Sequence, residues 1–193
     1  MTDRELIEGL SGRDKTAINY LVGSYQRKVI KTAYYFIGNL EDAEDLSQEI
    51  FLDIIKSIGS FKGNSSFSTW VYRIIVNKSI NVIRKNNRRK IFSSMEHLFR
   101  ISDEPDNRAE KEPSDWCDPM DEKETRDCLN EAINGLSGNQ RIAFVLNKYE
   151  ELSYKEIGDV MNLSISSVES LIHRAKINLQ KKLVNHFSQF SKK

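Results

Sequence analysis

The stretch LSYKEIGDVMNLSISSVESLIHRAKINLQKKL, residues 152–183, predicts a short helix, a tight turn and a longer helix. Ser153 followed by Glu156 has the pattern of a capping box, so the first helix is expected to begin at Tyr154. The residues Asn162–Ser164 then interrupt the helical spacing of the apolar side chains. This interruption predicts the turn between the two helices.

The second helix of this stretch begins near a cluster of serines. Ser164 and Ser166 are both candidate N-caps, and Glu169 would complete a capping box with Ser166. Apolar residues at helical spacing form a stripe that is expected to be buried, and its members are Val168, Leu171, Ile172, Ala175, Leu179 and Leu183. The opposite face is polar and basic, with Ser167, Ser170, His173, Arg174, Lys176 and Lys181.

A short helix crossing a longer one with a polar, basic outer face is typical of a helix-turn-helix. The second helix of that motif enters the major groove of DNA. The alternative interpretation is an ordinary helical hairpin with a solvated face. The combination of cap, turn and basic face favours DNA binding.

The composition indicates the fold class. The chain has 193 residues, of which 39% are hydrophobic and 30% are charged, which suits a helix-rich protein with a real core. It has only three prolines and nine glycines, and it lacks the long alternating pattern of strands. We therefore expect an all-α fold of two small helical domains joined by an acidic flexible linker, with the helix-turn-helix in the second domain.

Charged residues are segregated along the chain. The net charge is only +1, which is low for a protein that binds nucleic acid by itself. Acidic residues crowd positions 41–53 and 96–127, whereas basic residues crowd positions 84–90 and the C-terminal helix. This segregation predicts separate faces for different partners. The predicted divisions are a first domain at 1–92, a linker at 93–117 and a second domain at 118–193.

Capping residues predict the starts of other helices. Asn39 is expected to cap one helix. Asp118 precedes Pro119, which suits the first position of a helix. Ser137 and Gln140 have the spacing of a second capping box.

The helix after Asn39 has an apolar stripe and an acidic face. The stripe consists of Ala43, Leu46, Ile50, Ile54 and Ile58. The face left outside carries Asp42, Asp45, Gln48, Glu49, Leu52 and Asp53. One interpretation is a solvated surface. The other is a docking surface for a basic partner, because no Lys or Arg within 41–53 neutralises it.

A helix from Phe67 onward combines an apolar side with a basic one. Phe67, Trp70, Val71, Ile74, Ile75 and Ile83 are expected to pack inward. A polar stripe that becomes basic toward its end contains Arg73, Asn77, Asn81, Arg84 and Arg88, flanked by Lys78 and Lys85. Long cations and amides are the side chains that contact phosphates and base edges. Trp70 and Tyr72 are candidates for stacking on unpaired bases, with a core position as the alternative.

Several classes of function lack support in the sequence. The chain has no glycine-rich phosphate loop, metal-ligand spacing or nucleophile elbow, so we expect no enzyme activity, no cofactor and no metal. Cys117 and Cys128 are expected to be unpaired thiols in a reducing cytosol. The absence of a signal peptide and of a long apolar run predicts a cytoplasmic protein without membrane insertion.

Two stretches match one family in order and spacing. They are AEDLSQEIFLDIIKSIGSFKGNSSFSTWVYRIIVNKSINVIRK, residues 43–85, and LSGNQRIAFVLNKYEELSYKEIGDVMNLSISSVESLIHRAKINLQKKL, residues 136–183. With both stretches, the chain resembles a bacterial RNA polymerase sigma factor of the sigma-70 family, in its extracytoplasmic-function (ECF) subfamily. The resemblance covers nearly the whole chain and implies two helical domains, known as region 2 and region 4.

The resemblance also implies partners and roles. The partners would be core RNA polymerase, through the β′ clamp and the β subunit, and promoter DNA, with an anti-sigma protein as regulator. The residues implied to bind polymerase are Asp42, Asp45, Gln48, Glu49 and Leu52. Those implied to open and read the minus-ten element are Phe61, Lys62, Asn64, Arg73, Asn77, Lys78, Asn81 and Arg84. Those implied to read the minus-thirty-five element are Ser166, Ser167, Glu169, Ser170, His173, Arg174 and Lys176.

This chain departs from the common family pattern at three positions. Glu169 stands where a basic residue is common, Leu171 where arginine is common, and Asn81 where many relatives carry aspartate. A glutamate in a recognition helix is able to accept a hydrogen bond from the amino group of cytosine. The promoter sequence that this chain recognises therefore cannot be inferred from the promoters of other family members. The alternative function is a stand-alone helix-turn-helix regulator that binds an operator without polymerase.

We predict that Arg174→Ala weakens recognition of the upstream promoter element. The loss should be roughly 1–3 kcal/mol and specific for one base pair if Arg174 makes a bidentate contact to a base. Binding of the polymerase complex to wild-type and single-base-variant promoters measures the loss. A smaller loss that is equal for all sequences, with a reduced salt dependence, would show that Arg174 contacts only phosphate.

Overall fold

The computed structural model describes residues 1–99 and 123–190, and in this part of the chain every regular element is helical. The predicted all-α class is confirmed. The helices are α1 (Asp3–Ser11), α2 (Lys15–Ile37), α3 (Leu40–Ser57), α4 (Phe67–Phe99), α5 (Lys123–Asn134), α6 (Gly138–Lys148), α7 (Tyr154–Met161) and α8 (Ile165–Phe190), with a 3-10 turn at Ile58–Ser60.

The first four helices pack around α2, which contacts α1, α3 and α4. Helix α2 buries Ala17, Leu21, Val29, Ala33 and Phe36, all at spacings of three, four or eight residues. Helix α3 buries the predicted stripe of Ala43, Leu46, Ile50 and Ile54, and Ile58 follows in the 3-10 turn. Most of the stability of such helices comes from burying these apolar faces rather than from helix propensity. We call α1–α4 the N-terminal helix group.

The connection between α2 and α3 is a two-residue corner. Helix α2 ends at Gly38, whose φ of 81° lies in the left-handed region, and the Gly38 amide donates to the carbonyl of Tyr34. Glycine adopts this conformation without the steric cost of a Cβ. Asn39 then caps α3 as predicted, since its side chain accepts a hydrogen bond of 2.7 Å from the amide of Asp42.

Helix α4 is longer than the sequence predicts. The predicted linker starts at residue 93, but the helix continues to Phe99. No proline or glycine interrupts residues 91–99, so nothing in the backbone ends the helix earlier. Residues 100–117 of the predicted linker, Cys117 among them, and the predicted cap at Asp118–Pro119 lie outside the described residues.

The last four helices, which we call the C-terminal helix group, pack around α8. Helices α5, α6 and α7 all contact α8. The fully buried residues of this group are Ile133, Ile142, Ala143, Val145, Leu146, Ile157, Val168, Ile172 and Ala175. The predicted stripe of α8 therefore faces the core, with Leu171 and Leu183 at its half-buried edge.

The helix caps agree with the sequence at α7 and differ at two other helices. Ser153 and Glu156 form the predicted capping box. At α6 the box predicted for Ser137 and Gln140 is wrong, because the Ser137 side chain makes no capping bond and the Gln140 carbonyl oxygen accepts from Asn178. The hydrogen bond from Asn178 of α8 thus occupies the side-chain oxygen of Gln140 that the capping box would have used.

At α8 the cap is Ser164 and not Ser166. The Ser164 hydroxyl oxygen accepts from the amide of Ser167 at 3.2 Å and lies 2.8 Å from the Ser167 hydroxyl. The helix begins at Ile165, so Ser166 is already inside it and the box with Glu169 does not form. Glu169 remains exposed on the helix surface.

We predict that Ser153→Ala lowers the free energy of unfolding by about 1 kcal/mol, the usual loss for a missing N-cap. Hydrogen bonds from Ser153 hold the pKa of Glu156 below its ordinary value. A carboxylate with a lowered pKa stabilises the fold above its ordinary pKa, and this contribution is lost as the pH falls through the folded-state pKa. The penalty should therefore be full near neutral pH and smaller in acid.

Urea titrations at several pH values measure the penalty. Ser137→Ala is the matched control, because this serine occupies an N-cap position without a side-chain capping bond. An equal loss for both variants, independent of pH, would contradict the role of the capping box.

Candidate docking and nucleic-acid interfaces

Helix α3 presents an exposed acidic face. Its members are Asp42, Asp45, Gln48, Glu49 and Leu52, and we call this set the acidic face. Leu52 is 54% exposed, although it is a large apolar side chain. A single exposed apolar residue is common on protein surfaces, so the exposure of this face agrees with both the solvated surface and the docking surface considered from the sequence.

Lys78 of α4 forms ion pairs with two carboxylates of α3. Its Nζ atom lies 3.2 Å from a carboxylate oxygen of Glu49 and 3.0 Å from one of Asp53. The hydrogen bond to Asp53 is the main reason why the pKa of Lys78 is raised. No Lys or Arg lies within residues 41–53, as predicted, but Lys78 of α4 pairs with Glu49 and Asp53, so part of this acidic stretch is neutralised in the folded protein. Asp42 and Asp45 have no such ion pair among the described residues.

A polar groove of about 390 Å³ lies between α3 and α4. It is lined by Asp53, Lys56, Ser57, Ile74, Asn77, Lys78 and Asn81. Asn77 and Asn81 therefore line a groove beside α3, the helix that carries the acidic face. Both side-chain amides were predicted to contact DNA. The two surfaces are neighbours on one rigid pair of helices.

The loop before α4 is held by aromatic packing. The ring of Phe61 lies 5.6 Å from that of Trp70 and 6.1 Å from that of Phe67, measured between centroids. Phe67 is buried, and Phe61 and Trp70 are half-buried. This packing favours a core position for Trp70 over base stacking. Lys62 and Asn64, in the same loop, are exposed.

The polar stripe of α4 reaches the surface. Asn77, Asn81 and Arg84 are exposed, as is Arg73. The Arg73 guanidinium donates a hydrogen bond of 2.8 Å to the backbone carbonyl of Asp159 in α7. One candidate DNA contact is therefore occupied by the C-terminal helix group.

Helices α7 and α8 form the predicted helix-turn-helix. Helix α7 ends at Met161, and the C-cap Asn162 adopts a left-handed conformation with φ of 55°. The chain then turns back so closely that a Cβ on Gly158 would meet the Leu163 carbonyl oxygen at 2.8 Å. Glycine is required at 158 because this approach leaves no room for a side chain.

The outer face of α8 is open to solvent. Ser166, Glu169, His173, Arg174 and Lys176 are exposed, whereas Ser167 and Ser170 are half-buried. Leu171, which stands at a position often occupied by arginine in the family, packs against the core as a half-buried residue. Leu171 therefore belongs to the edge of the core. Of the two residues of α8 that depart from the common family pattern, Glu169 is the one that lies on the outer face.

Glu150, which the sequence did not mark as functional, lies where the two helix groups meet. Its carboxylate accepts hydrogen bonds from the hydroxyls of Thr32 and Tyr72, both in the N-terminal helix group. Lys28 lies 3.7 Å away. Tyr72 is buried, so base stacking by Tyr72 is excluded in this arrangement. No local pattern signals these contacts, because the partners are distant in sequence.

Other site types are absent from the described residues. In residues 1–99 and 123–190 no cluster of His, Cys, Asp and Glu is arranged to hold a metal ion. Cys128 is a free thiol, and burial raises its pKa. Within the same ranges, no helix has the length and apolar character needed to cross a membrane.

Two family models match the chain, one over the N-terminal helix group and one over the C-terminal helix group. Sigma-70 region 2 matches residues 21–89, and Sigma-70 region 4 matches residues 126–179. The first range covers most of α2, all of α3 and the first two-thirds of α4. The second range contains the helix-turn-helix.

Solved structures share this fold. CnrH, solved in complex with the cytosolic domain of CnrY, has a TM-score of 0.65 and 20% identity, covering 95% of this chain and 97% of that one. The sigma factor RpoE from Bartonella quintana, solved with the anti-sigma factor NepR, has a TM-score of 0.59 and 22% identity, covering 81% of this chain and 89% of that one.

Curated relatives are similar over nearly their whole length. The RNA polymerase sigma-H factor of Pseudomonas aeruginosa is 32% identical over 191 residues, covering 94% of this chain and 93% of the relative. The ECF RNA polymerase sigma-E factor of Escherichia coli is 32% identical over 183 residues, covering 95% of each. This similarity favours action with polymerase over a stand-alone regulator. The chain belongs to the extracytoplasmic-function sigma factors of the sigma-70 family, which direct core RNA polymerase to promoters.

Proposed function

We propose that this sigma factor docks on the β′ clamp of core polymerase through the acidic face of α3. In this arrangement residues 1–92 act as the region 2 domain and residues 118–193 as the region 4 domain, joined by a linker at 93–117. Asp42, Asp45, Gln48, Glu49 and Leu52 carry the docking contact. The β subunit is a further contact of the chain, without assigned residues.

The observation that carries the proposal is the direct attachment of the acidic face to the candidate DNA surface. Helix α3 packs on α4, and Lys78 joins them through Glu49 and Asp53. A clamp that binds α3 therefore also fixes the position of Asn77 and Asn81 over the DNA. Docking and reading are coupled through two rigid helices rather than through a flexible loop.

Reading of the minus-ten element falls to the loop before α4 and to the polar stripe of α4. The exposed Lys62 and Asn64 approach the separated strands, and Phe61 supports the loop by packing on Trp70. The DNA contacts along α4 are the exposed Asn77, Asn81 and Arg84, joined by Arg73 and Lys78, which have to leave the Asp159 carbonyl and the Glu49 carboxylate to reach DNA. Extruding a base from the stack costs about a few kcal/mol, which contacts in a receiving pocket offset.

Reading of the minus-thirty-five element falls to the outer face of α8. Its contacts are Ser166, Ser167, Glu169, Ser170, His173, Arg174 and Lys176. The N-terminal residues of a recognition helix lie closest to the base edges. Glu169 faces outward near that end, and as an acceptor it favours cytosine at the position it contacts. Hydroxyls and cations nearby position the helix on phosphates.

The protein contributes recognition and no catalytic group of its own. Its net charge of +1 agrees with a factor that obtains much of its DNA affinity from the polymerase. As a polymerase subunit it acts in the cytoplasm. An anti-sigma protein is the expected regulator, because the similar structure of the sigma factor RpoE is a complex with the anti-sigma factor NepR.

We predict that Asp45→Lys reduces promoter-dependent transcription roughly tenfold, equivalent to about 1.4 kcal/mol of docking free energy. Run-off transcription from genomic fragments, with a fixed amount of core polymerase and increasing amounts of the factor, measures the loss. It should diminish at saturating factor, because the variant weakens docking and leaves the DNA contacts intact.

The matched control is Glu131→Lys, which makes the same charge change on an exposed residue of α5. Equal activity of both variants would contradict docking through the acidic face. No promoter-dependent transcript from the wild-type factor, with an active reference factor working in parallel, would overturn the proposed function.

A further inference from the structure

Ile165 is the first residue of α8, and its apolar side chain is exposed where the second helix of the helix-turn-helix begins. Its exposed fraction is 54%, whereas Val168 and Ile172 of the same helix are buried. Among the described residues, Ile165 belongs neither to the core nor to the half-buried apolar side chains that pack on the core. A single exposed apolar residue says little by itself, so what distinguishes Ile165 is its place in the fold.

The backbone around Ile165 is held on both sides. Before it, the Leu163 amide donates a hydrogen bond of 2.9 Å to the Gly158 carbonyl, which closes the turn after α7. After it, the Val168 amide donates a hydrogen bond of 3.0 Å to the carbonyl of the N-cap Ser164. The isoleucine side chain is β-branched and therefore has few χ1 rotamers. A contact made by Ile165 thus orders little that the fold has not already ordered.

The hydroxyls on either side of Ile165 are engaged at the start of the helix. The Ser164 hydroxyl oxygen accepts from the Ser167 amide, and it lies 2.8 Å from the Ser167 hydroxyl and 3.1 Å from that of Ser166. Ile165 has no part in this cap, and isoleucine is a weaker helix former than alanine. The local fold therefore does not require an isoleucine at this position.

Ile165 lies one turn before Glu169 on the surface of α8. Residues four apart on a helix are neighbours on one side, and Glu169 is exposed, as is His173 one turn further on. The N-terminal residues of a recognition helix contact the base edges. The side chain that precedes Glu169 by one turn is therefore placed to reach a base pair beside the one that Glu169 contacts.

The major groove offers an isoleucine one favourable kind of contact. Thymine presents its 5-methyl group there, whereas the remaining groups on the base edges are mainly hydrogen-bond donors and acceptors. Covering a donor or acceptor with an apolar side chain removes it from water without giving it a partner, which is unfavourable. Covering a methyl group removes apolar surface from water, which is favourable. An isoleucine at this place therefore selects thymine.

We infer that Ile165 reads the methyl group of a thymine in the minus-thirty-five element, next to the base pair read by Glu169. The inference rests on the proposed function, because it requires α8 to lie in the major groove of that element. Glu169 then specifies one position by a hydrogen bond, and Ile165 specifies a neighbouring position by apolar contact.

Replacing single thymines by deoxyuridine tests the inference, because deoxyuridine lacks only the 5-methyl group. A promoter identified by run-off transcription supplies the thymines of the upstream element, on either strand. Binding of the complete complex of core polymerase and factor to each modified promoter measures the effect. We expect the wild-type factor to lose affinity about fourfold at one thymine, the ratio that corresponds to one buried methyl group, and to be unaffected at the others.

Ile165→Ala completes the test. This variant should bind the unmodified promoter at least about fourfold more weakly. It should lose nothing further at the deoxyuridine that affects the wild type, because the side chain that contacts the methyl group is gone. Ile177→Ala is the matched control, since it truncates the same kind of side chain at a position of α8 that is 37% exposed. The control should respond to deoxyuridine as the wild type does, and circular dichroism verifies that both variants keep their helices.

The outcomes separate the methyl contact from the proposed function. Equal wild-type affinity for the unmodified and all deoxyuridine promoters would overturn the contact, as would an upstream element without thymine. The same deoxyuridine sensitivity in Ile165→Ala and in the wild type would overturn it as well. Base-pair changes throughout the upstream element that leave binding unchanged would instead contradict the reading of that element by α8, and with it the proposed function.

Discussion

The two helix groups meet over a shared apolar core and around one buried charge, the carboxylate of Glu150. Apolar side chains of both groups belong to one hydrophobic core, in which α2 contacts α5 and α6 and α4 contacts α7. The carboxylate adds a directional requirement, because it is satisfied only where two hydroxyls and an ammonium meet it. Such polar requirements fix a relative position more strictly than apolar contact does, since an unpaired buried charge is so unfavourable.

Helix α4 contributes side chains to several surfaces at once. Val71 and Ile75 pack into the core of the N-terminal group. Lys78 reaches toward α3, and Tyr72 and Arg73 reach toward the C-terminal group. Asn77, Asn81 and Arg84 remain exposed.

Sequence reasoning succeeded where a signal is local. The capping box of Ser153 and Glu156 and the Asn39 cap involve neighbours three residues apart. It failed where a distant group competes for a side chain, as when Asn178 takes the Gln140 acceptor and leaves Ser137 without its box. The acidic residues of α3 show the same limit, because the base that faces Glu49 and Asp53 comes from α4.

The sequence by itself determined the helical class, the order of the two groups, the helix-turn-helix and the family, because apolar periodicity, caps and motif spacing are all short-range properties of a chain. Only the tertiary structure decided that Tyr72 is buried rather than free to stack, that Arg73 is held by α7, and that Glu150 joins the two groups. Thr32 and Tyr72 lie 118 and 78 positions from Glu150 along the chain. No pattern at helical spacing encodes contacts over such separations, since they arise only when the folded groups meet.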